Sequence, residues 1–376
     1  MSRRRVSQQV LFVFTEVFAN GGIQRFNQTI LDACNGLEVQ YRVLSLNDST
    51  ASIAAHQKHD SQYSITGFSG NRWHFVLAIV GALMRNRYDW VLIGHVNFLT
   101  LLAAILAPWR FRAPRTMLVA HGIEVWSGID GVRRFALRRI DRILCVSHYT
   151  RRRILEQAPA LIADRLVIFP NALAETWRGC VAIPFAQSLP ERFILSVTRL
   201  EPGDRNKGIA TVIEAFSMLA DPSMHYFIVG QGRDRPFLEL VAMRCGVQQR
   251  VHFVRGVSDS ELVALYRKCR AFVLPSGKEG FGIVFLEAMF FGAPVIAASE
   301  KGAVDVVRNG STGLSVPFGD TIAIREAIER IMSDTELREC LCTNGRSLVS
   351  EGGPFTFARF SRRCAEVFEL GEPSAA

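Results

Sequence analysis

The chain holds eight cysteines, at 34, 145, 180, 245, 269, 340, 342 and 364, yet no Cys-x-x-Cys pair. A zinc ribbon or a dithiol redox motif therefore lacks its signature. Several of these cysteines lie in apolar runs such as Arg142-Ile-Leu-Cys145-Val, where a reduced, buried thiol is expected. That usage favours the cytosol. Long hydrophobic runs are also missing. The most apolar stretch, Val91–Trp109, is interrupted by His95 and Asn97, and about 20 apolar residues are needed to span a bilayer. It reads as a buried strand followed by a buried helix. The run after the basic N-terminus, Val10–Phe14, is too short for a signal-peptide core. With 29 Gly and 14 Pro in 376 residues, collagen-like and low-complexity architectures are excluded.

What is present is an ordinary globular mix, 49% hydrophobic and 21% charged, on a chain long enough for two domains. The net charge of +9 is lopsided. Residues 1–190 carry 22 Lys and Arg against 12 Asp and Glu; the remainder carries 22 against 23. The first half is thus expected to meet an anionic partner. A nucleic acid would account for the charge, but zinc-finger spacing and an RNA-recognition signature are absent. Arg110-Phe-Arg-Ala-Pro-Arg115 beside Trp109 mixes aromatic and basic residues, which suits a membrane surface. The runs Arg133–Arg134, Arg138–Arg139 and Arg151–Arg153 also suit solvated helix faces.

Short β-rich runs alternate with helical ones. Expected strands in the first half are Val10–Phe14, Tyr41–Leu46, Trp90–Ile93, Thr116–Ala120, Ile143–Val146 and Leu166–Ile168. Those in the second are Phe193–Val197, Tyr226–Val229, Val251–Phe253, Ala271–Leu274 and Val295–Ala297. Each is a continuous apolar run, as parallel strands buried on both faces require. Helical stretches intervene, among them Arg25–Cys34, Trp73–Met84, Ala210–Leu219 and Ile283–Phe291. The alternation predicts an α/β class with two Rossmann-like, doubly wound domains facing each other across a cleft. The domains are placed at 1–180 and 190–376, joined by the aperiodic Arg178–Glu191, with the final helix free to pack back on the first domain.

The most informative stretch runs from Phe272 to Pro294. A strand enters the loop Ser276-Gly-Lys-Glu279-Gly280-Phe281-Gly282, and a helix starts near Ile283 and stops at Gly292 and Pro294. Gly280 and Gly282 allow close backbone approach and present N–H groups near a helix N-terminus, an anion site. Glu279 and Glu287 can face one pocket at the strand's carboxyl end. Two carboxylates beside an anion are compatible if they bind hydroxyls while cations neutralise the anion. Arg199 and Lys207, in Thr198-Arg199-Leu-Glu-Pro-Gly-Asp-Arg-Asn-Lys207-Gly208, leave the preceding domain strand at its carboxyl end. Hydroxyls, an anion and two cations together describe a sugar nucleotide. Gly230-Gln-Gly232 suggests a dinucleotide fingerprint, but Arg235 occupies the third glycine position, which fits a tight turn better.

On these residues the chain resembles the retaining glycosyltransferases of family 4, which have the two-domain GT-B fold. The resemblance covers nearly the whole sequence. Its most specific motif, E-x7-E, stands as Glu279–Glu287. It implies that Glu279 binds the donor sugar's hydroxyls, that Glu287 binds the ribose, and that Arg199 and Lys207 bind the donor diphosphate. Gly21-Gly22, in Asn20-Gly-Gly-Ile-Gln-Arg25, matches the family's N-terminal diphosphate loop, and His121 matches a residue near the reaction centre. Donor contacts are accordingly expected at Gly21, Gly22, Arg199, Lys207, Glu279, Gly280, Phe281, Gly282, Ile283 and Glu287, with His121, Arg199, Lys207 and Glu279 catalytic. From the residues alone, His121 equally suits a core histidine pinning a strand end, and Phe281 and Phe285 suit the core. Lys301-Gly302 departs from the family's common Gly-Gly, and Asp305 from its usual Glu.

The implied reaction passes a hexose from a nucleotide diphosphate sugar to a hydroxyl with the anomeric configuration kept. GDP-mannose, UDP-glucose and UDP-N-acetylglucosamine all fit as donors. No Asp-x-Asp motif occurs, so no metal and no separate cofactor are expected. The expected acceptor is a saccharide or lipid-linked saccharide in surface polysaccharide synthesis. The expected location is cytoplasmic, peripheral to an anionic inner membrane face, without nucleic acid. Competing classes are a glycoside hydrolase or phosphorylase-like enzyme, which would use its carboxylates without Arg199 and Lys207, a nucleic-acid-binding protein, and a nicotinamide enzyme, which lacks the full glycine fingerprint.

Overall fold

The computed structural model describes residues 8–370 apart from 20, 38, 57–63, 108–112, 127, 159–162, 184 and 186–188. Trp109 and residues 110–112 of the basic–aromatic run lie outside the described residues, as does Asn20. Two units result: Met1–Ala172 with Phe357–Ala376, and Leu173–Thr356. Arg178–Glu191 therefore belongs to the second unit rather than to the point of division.

The first unit carries a sheet of seven strands: β1 (Gln9–Phe14), β2 (Gln40–Ser45), β3 (Ser64–Gly67), β4 (Trp90–Ile93), β5 (Arg115–Ala120), β6 (Arg142–Cys145) and β7 (Leu166–Ile168). Their spatial order is β3-β2-β1-β4-β5-β6-β7, and every pairing is parallel. The second carries β8 (Phe193–Val197), β9 (His225–Val229), β10 (Val251–Val254), β11 (Ala271–Leu274), β12 (Val295–Ala298) and β13 (Leu314–Val316), in the order β10-β9-β8-β11-β12-β13, again all parallel. Central strands such as β4, β11 and β12 are buried along their whole length, which is why they stand in the sequence as unbroken apolar runs. In both sheets the strand order reverses beside the first strand, between β1 and β4 and between β8 and β11. Crevices outside the carboxyl ends of strands at such reversals are where open α/β sheets bind ligands.

The last helix, Phe357–Val367, belongs to the first unit. Phe360 packs edge-on against Phe26 and Phe169, and Phe368 against Phe12. Arg115 and Arg142 both pair with Glu369, and their guanidiniums lie over the Trp90 ring. The described part of the apolar stretch Val91–Trp109, residues 91–107, completes β4 and then forms the helix Leu99–Leu106, as its interrupted pattern implies. Among the described residues no helix is long and apolar enough to cross a membrane.

Candidate active site at the carboxyl edge of the second sheet

β8 and β11 flank the reversal of the second sheet, and their following loops hold most of the sequence-selected residues. After β8 the chain runs extended alongside the turn that follows β9: Thr198 N–H donates to Val229 O and Leu200 N–H to Gln231 O. A Cβ on Gly230 would lie 1.8 Å from Thr198 O, and one on Gly232 2.1 Å from Leu200 O. Both glycines are thus needed for the approach of two loops, which is the tight-turn role.

Next comes the 3-10 turn Pro202–Lys207. Arg205 anchors it. Its guanidinium makes three hydrogen bonds of 2.7–3.0 Å to the Asp234 carboxylate and lies 4.1 Å from the Phe237 ring centroid. Asp234 is buried, so this is a charge-assisted, two-pronged contact. Gly208 then takes φ 78, and a Cβ there would meet Pro275 O at 2.8 Å. The β11 loop answers with Gly277 N–H donating to Asn206 O at 2.8 Å. Two loops 70 residues apart in sequence are thereby pressed together.

Lys207 and Glu279 close this contact: Nζ to Oε2 is 2.9 Å, with side chains 18% and 14% exposed. Arg199 is 64% exposed and pairs with Asp204 at 3.3 Å. Glu287 is buried in the helix Ile283–Phe290 and accepts the Tyr266 hydroxyl at 3.1 Å. The two glutamates therefore have different immediate partners, one cationic and one phenolic. Gly282 precedes that helix with φ 93 and no side-chain cap, leaving the first-turn amides at Ile283 and Val284 without a capping side chain. The Phe281 ring is buried against Phe355, and Phe285 against Phe272. For these two rings the core role is the one observed.

The turn after β12 completes the arrangement. Lys301 Nζ donates to Gly277 O, and Gly302 N–H to Glu279 O at 3.0 Å. Sequence reasoning missed Asp234 and Tyr266, because no local pattern marks a partner delivered by a distant turn or helix, and it marked Lys301 only as a departure from the family's Gly-Gly.

In the first unit, Gly21 precedes the helix Gly22–Gly36, which has no side-chain cap and no acidic residue in its first turn. The loop before it is held by Asp48, which accepts Val17 N–H at 2.7 Å and Ser45 Oγ at 2.6 Å. His121 follows β5. Its Nε2–H donates to Gly94 O at 2.9 Å, and its ring stands edge-on to Phe26. Its backbone N–H reaches Glu124 at 2.6 Å. Burial pushes its pKa down from 6.5 to about 4, so the ring is neutral near pH 7. The histidine pins the ends of two strands. A cavity of about 490 Å³ lies elsewhere in the second unit, against β10, lined by Arg235, Glu239, His252 and Arg255 and by none of the motif residues.

Comparison with known proteins gives two family matches: Glycosyl transferases group 1 over residues 184–348 and Glycosyltransferase Family 4 over residues 20–175. A GDP-mannose-dependent alpha-(1-6)-phosphatidylinositol monomannoside mannosyltransferase of Mycobacterium tuberculosis is 31% identical over 272 residues, 66% of this chain and 68% of the relative. The capsular polysaccharide biosynthesis glycosyltransferase CapM of Staphylococcus aureus is 33% identical over 148 residues, 39% of this chain and 38% of the relative. Among solved structures, Anabaena Alr3699/HepE in complex with UDP and glucose superposes with a TM-score of 0.77 at 18% identity, covering 96% of this chain and 99% of that one. Sucrose-phosphate synthase from Thermosynechococcus elongatus gives 0.78 at 19% identity, covering 96% and 98%. The two parallel sheets with flanking helices are those of the GT-B class.

Proposed function

The chain belongs to glycosyltransferase family 4 and is a glycosyltransferase; we propose that it moves a hexose from a nucleotide diphosphate sugar to a hydroxyl of a saccharide or lipid-linked saccharide, with retention at the anomeric carbon. The observation that carries this reading is the Lys207–Glu279 pair, formed where the loops after β8 and β11 meet beside the reversal of strand order. Breaking the anomeric C–O bond builds negative charge on the departing diphosphate. Lys207, Arg199 and the amides at Gly280–Ile283 stabilise that charge in place, which is worth about 10²–10³-fold in rate per donor by analogy with oxyanion holes. Glu279 accepts hydrogen bonds from the sugar's hydroxyls and Glu287 from the ribose. With cations supplied by the chain and no Asp-x-Asp motif, no metal is assigned a role. Gly21 and Gly22 are assigned to the diphosphate and His121 to the vicinity of the reacting sugar, on family resemblance.

Two observations support a lipid-linked acceptor at an anionic membrane face. The mycobacterial relative is named for a phosphatidylinositol mannoside substrate. In the first unit, the helix Arg72–Arg85 exposes Trp73, Leu77 and Met84, and the helix Gly131–Leu137 exposes Val132 and Phe135. Both helices share one core cluster with Leu99 and Leu102, and arginines accompany both exposed faces. Aromatic and aliphatic side chains among cations suit a headgroup boundary. This face would act on the cytoplasmic side of the membrane.

The deciding experiment is a donor screen read by nucleotide release. Wild type is expected to turn over one nucleotide sugar, with the product keeping the donor's anomeric configuration. Glu279→Ala and Lys207→Ala should lose that turnover. Thermal stabilisation by oligonucleotides but by no nucleoside diphosphate would overturn the transferase reading; sugar release without a nucleotide would favour a hydrolase. Failure to bind anionic vesicles at low salt would remove the membrane part alone.

A further inference from the structure

Among the described residues only three other than glycine have positive φ: Ser69, Lys301 and Glu369. Lys301, at φ 65, is the one beside the loops of the candidate site. A side chain in the left-handed region is costly, and glycine is the ordinary occupant. Such backbone outliers persist only where their surroundings hold them, and they gather at functional sites.

What holds Lys301 is visible. Its ammonium donates to Gly277 O, within the β11 loop. The next residue, Gly302, donates its N–H to Glu279 O at 3.0 Å. A Cβ at 302 would sit 1.9 Å from Gly280 O. Two consecutive residues after β12 thus brace three residues of the loop that carries Glu279. The Lys301 side chain contributes what a glycine there could not, a charge-assisted hydrogen bond to a loop carbonyl.

We propose that Lys301 is a positioning residue of the donor site. It accepts an unfavourable backbone conformation in order to fix the Gly277–Gly280 backbone, and through it Glu279 and the amides at 280–282, in the form that receives a nucleoside diphosphate. The proposal rests on the donor-site assignment given above. It goes beyond that assignment because the family's common Gly-Gly at this point supplies no such strut.

The test compares Lys301→Gly, Lys301→Met and Lys301→Arg in the full chain, using calorimetric binding of GDP and UDP and amide hydrogen exchange of the 277–280 segment without nucleotide. Lys301→Gly should melt close to the wild-type temperature, because relief of the backbone offsets the lost hydrogen bond. It should nevertheless bind the preferred nucleotide ~10–100-fold more weakly, the range expected for losing one hydrogen bond to a charged group. Exchange at 277–280 should quicken in both the Gly and Met variants and stay slow in Lys301→Arg. A Lys301→Gly protein with wild-type nucleotide affinity and unchanged exchange overturns the proposal. Wild type that binds neither nucleotide, while exchange still responds to Lys301→Gly, instead overturns the donor-site assignment and leaves the bracing intact.

Discussion

Replacing Lys207 with Met isolates the contact on which the site is built. At 2.9 Å, and with an effective dielectric near 20, the gross attraction between Lys207 and Glu279 is about 6 kcal/mol. Desolvation consumes much of that gain, so the pair's net worth is small, whereas removing one partner leaves the other charge buried at a cost of about 3–5 kcal/mol. Since domains are stable by only about 5–15 kcal/mol, the single variant should lose a large share of its unfolding free energy. The double variant Lys207→Met/Glu279→Gln leaves no orphaned charge. Its stability should return to within about 1 kcal/mol of wild type.

Activity should behave differently. Under the proposed roles, Lys207→Met removes a donor to the developing charge, and the double variant removes the sugar ligand as well, so neither should recover transfer. The losses should be at least about 10²-fold for the single variant. The three proteins would be compared by urea denaturation and by nucleotide release at saturating donor. Stability that recovers without activity is the signature of a buried pair with a chemical role. If Lys207→Met matches wild-type stability, the pair is not held as the geometry indicates. If the double variant transfers sugar at close to the wild-type rate, the site lies elsewhere.

Two further outcomes follow from particular contacts. Burial holds His121 near 4 against 6.5 in the open chain, so the unfolded state binds the extra proton between those values. Stability from this group is full above pH 6.5 and falls as pH drops toward 4, by up to about 3 kcal/mol. His121→Gln should flatten that part of the stability–pH curve, leaving a residual slope from His95 and His252, whose pKa values burial also lowers; an unchanged slope would contradict the neutral, pinned ring. Gly302→Ala would place a methyl 1.9 Å from a backbone carbonyl, and should both lower the melting temperature and abolish nucleotide binding. Gly310→Ala, with φ 72 but open space around it, should cost only about 1 kcal/mol, and a Gly302→Ala protein no worse than this control would refute the close approach.

The central strands of both sheets were legible because a parallel strand covered on both faces must be apolar throughout. Two strands escaped, and both lie at sheet edges: β3, whose four residues include one large apolar side chain, and β13, with three residues. An edge strand packs on fewer neighbours, and its sequence carries less pattern. The helices Thr321–Ser333 and Thr335–Ser347 also went unread. The point of division at Ala172 was displaced from Arg178–Glu191 because aperiodic sequence marks a loop, not a domain boundary. At the site, E-x7-E and the two cations were visible as residue types. Their partners were not, since Asp234 arrives from the turn after β9 and Tyr266 from the helix Asp259–Lys268, and the contact Lys301 makes to Gly277 was not visible in its sequence position.

Those partners change what the cations mean. The second unit is nearly neutral, and its cations at the site are largely engaged: Arg199 with Asp204, Arg205 with Asp234, Lys207 with Glu279. On the proposed reading a diphosphate would therefore enter by exchange rather than by filling an electropositive hole. The exposed Arg199–Asp204 pair is worth at most about 1 kcal/mol and gives way readily. Arg205 stays committed, because freeing it would strand the buried Asp234 carboxylate. Lys207 need not choose. An ammonium carries three donors on one atom, so it can keep Glu279 while turning another N–H to a phosphate oxygen, and under the proposed roles it would couple the group assigned to the sugar to the group assigned to its leaving charge. A planar guanidinium divides its donors along fixed edges and could not serve both partners from one point. On this argument Lys207→Arg preserves the charge, and much of the nucleotide affinity, yet loses the transfer rate.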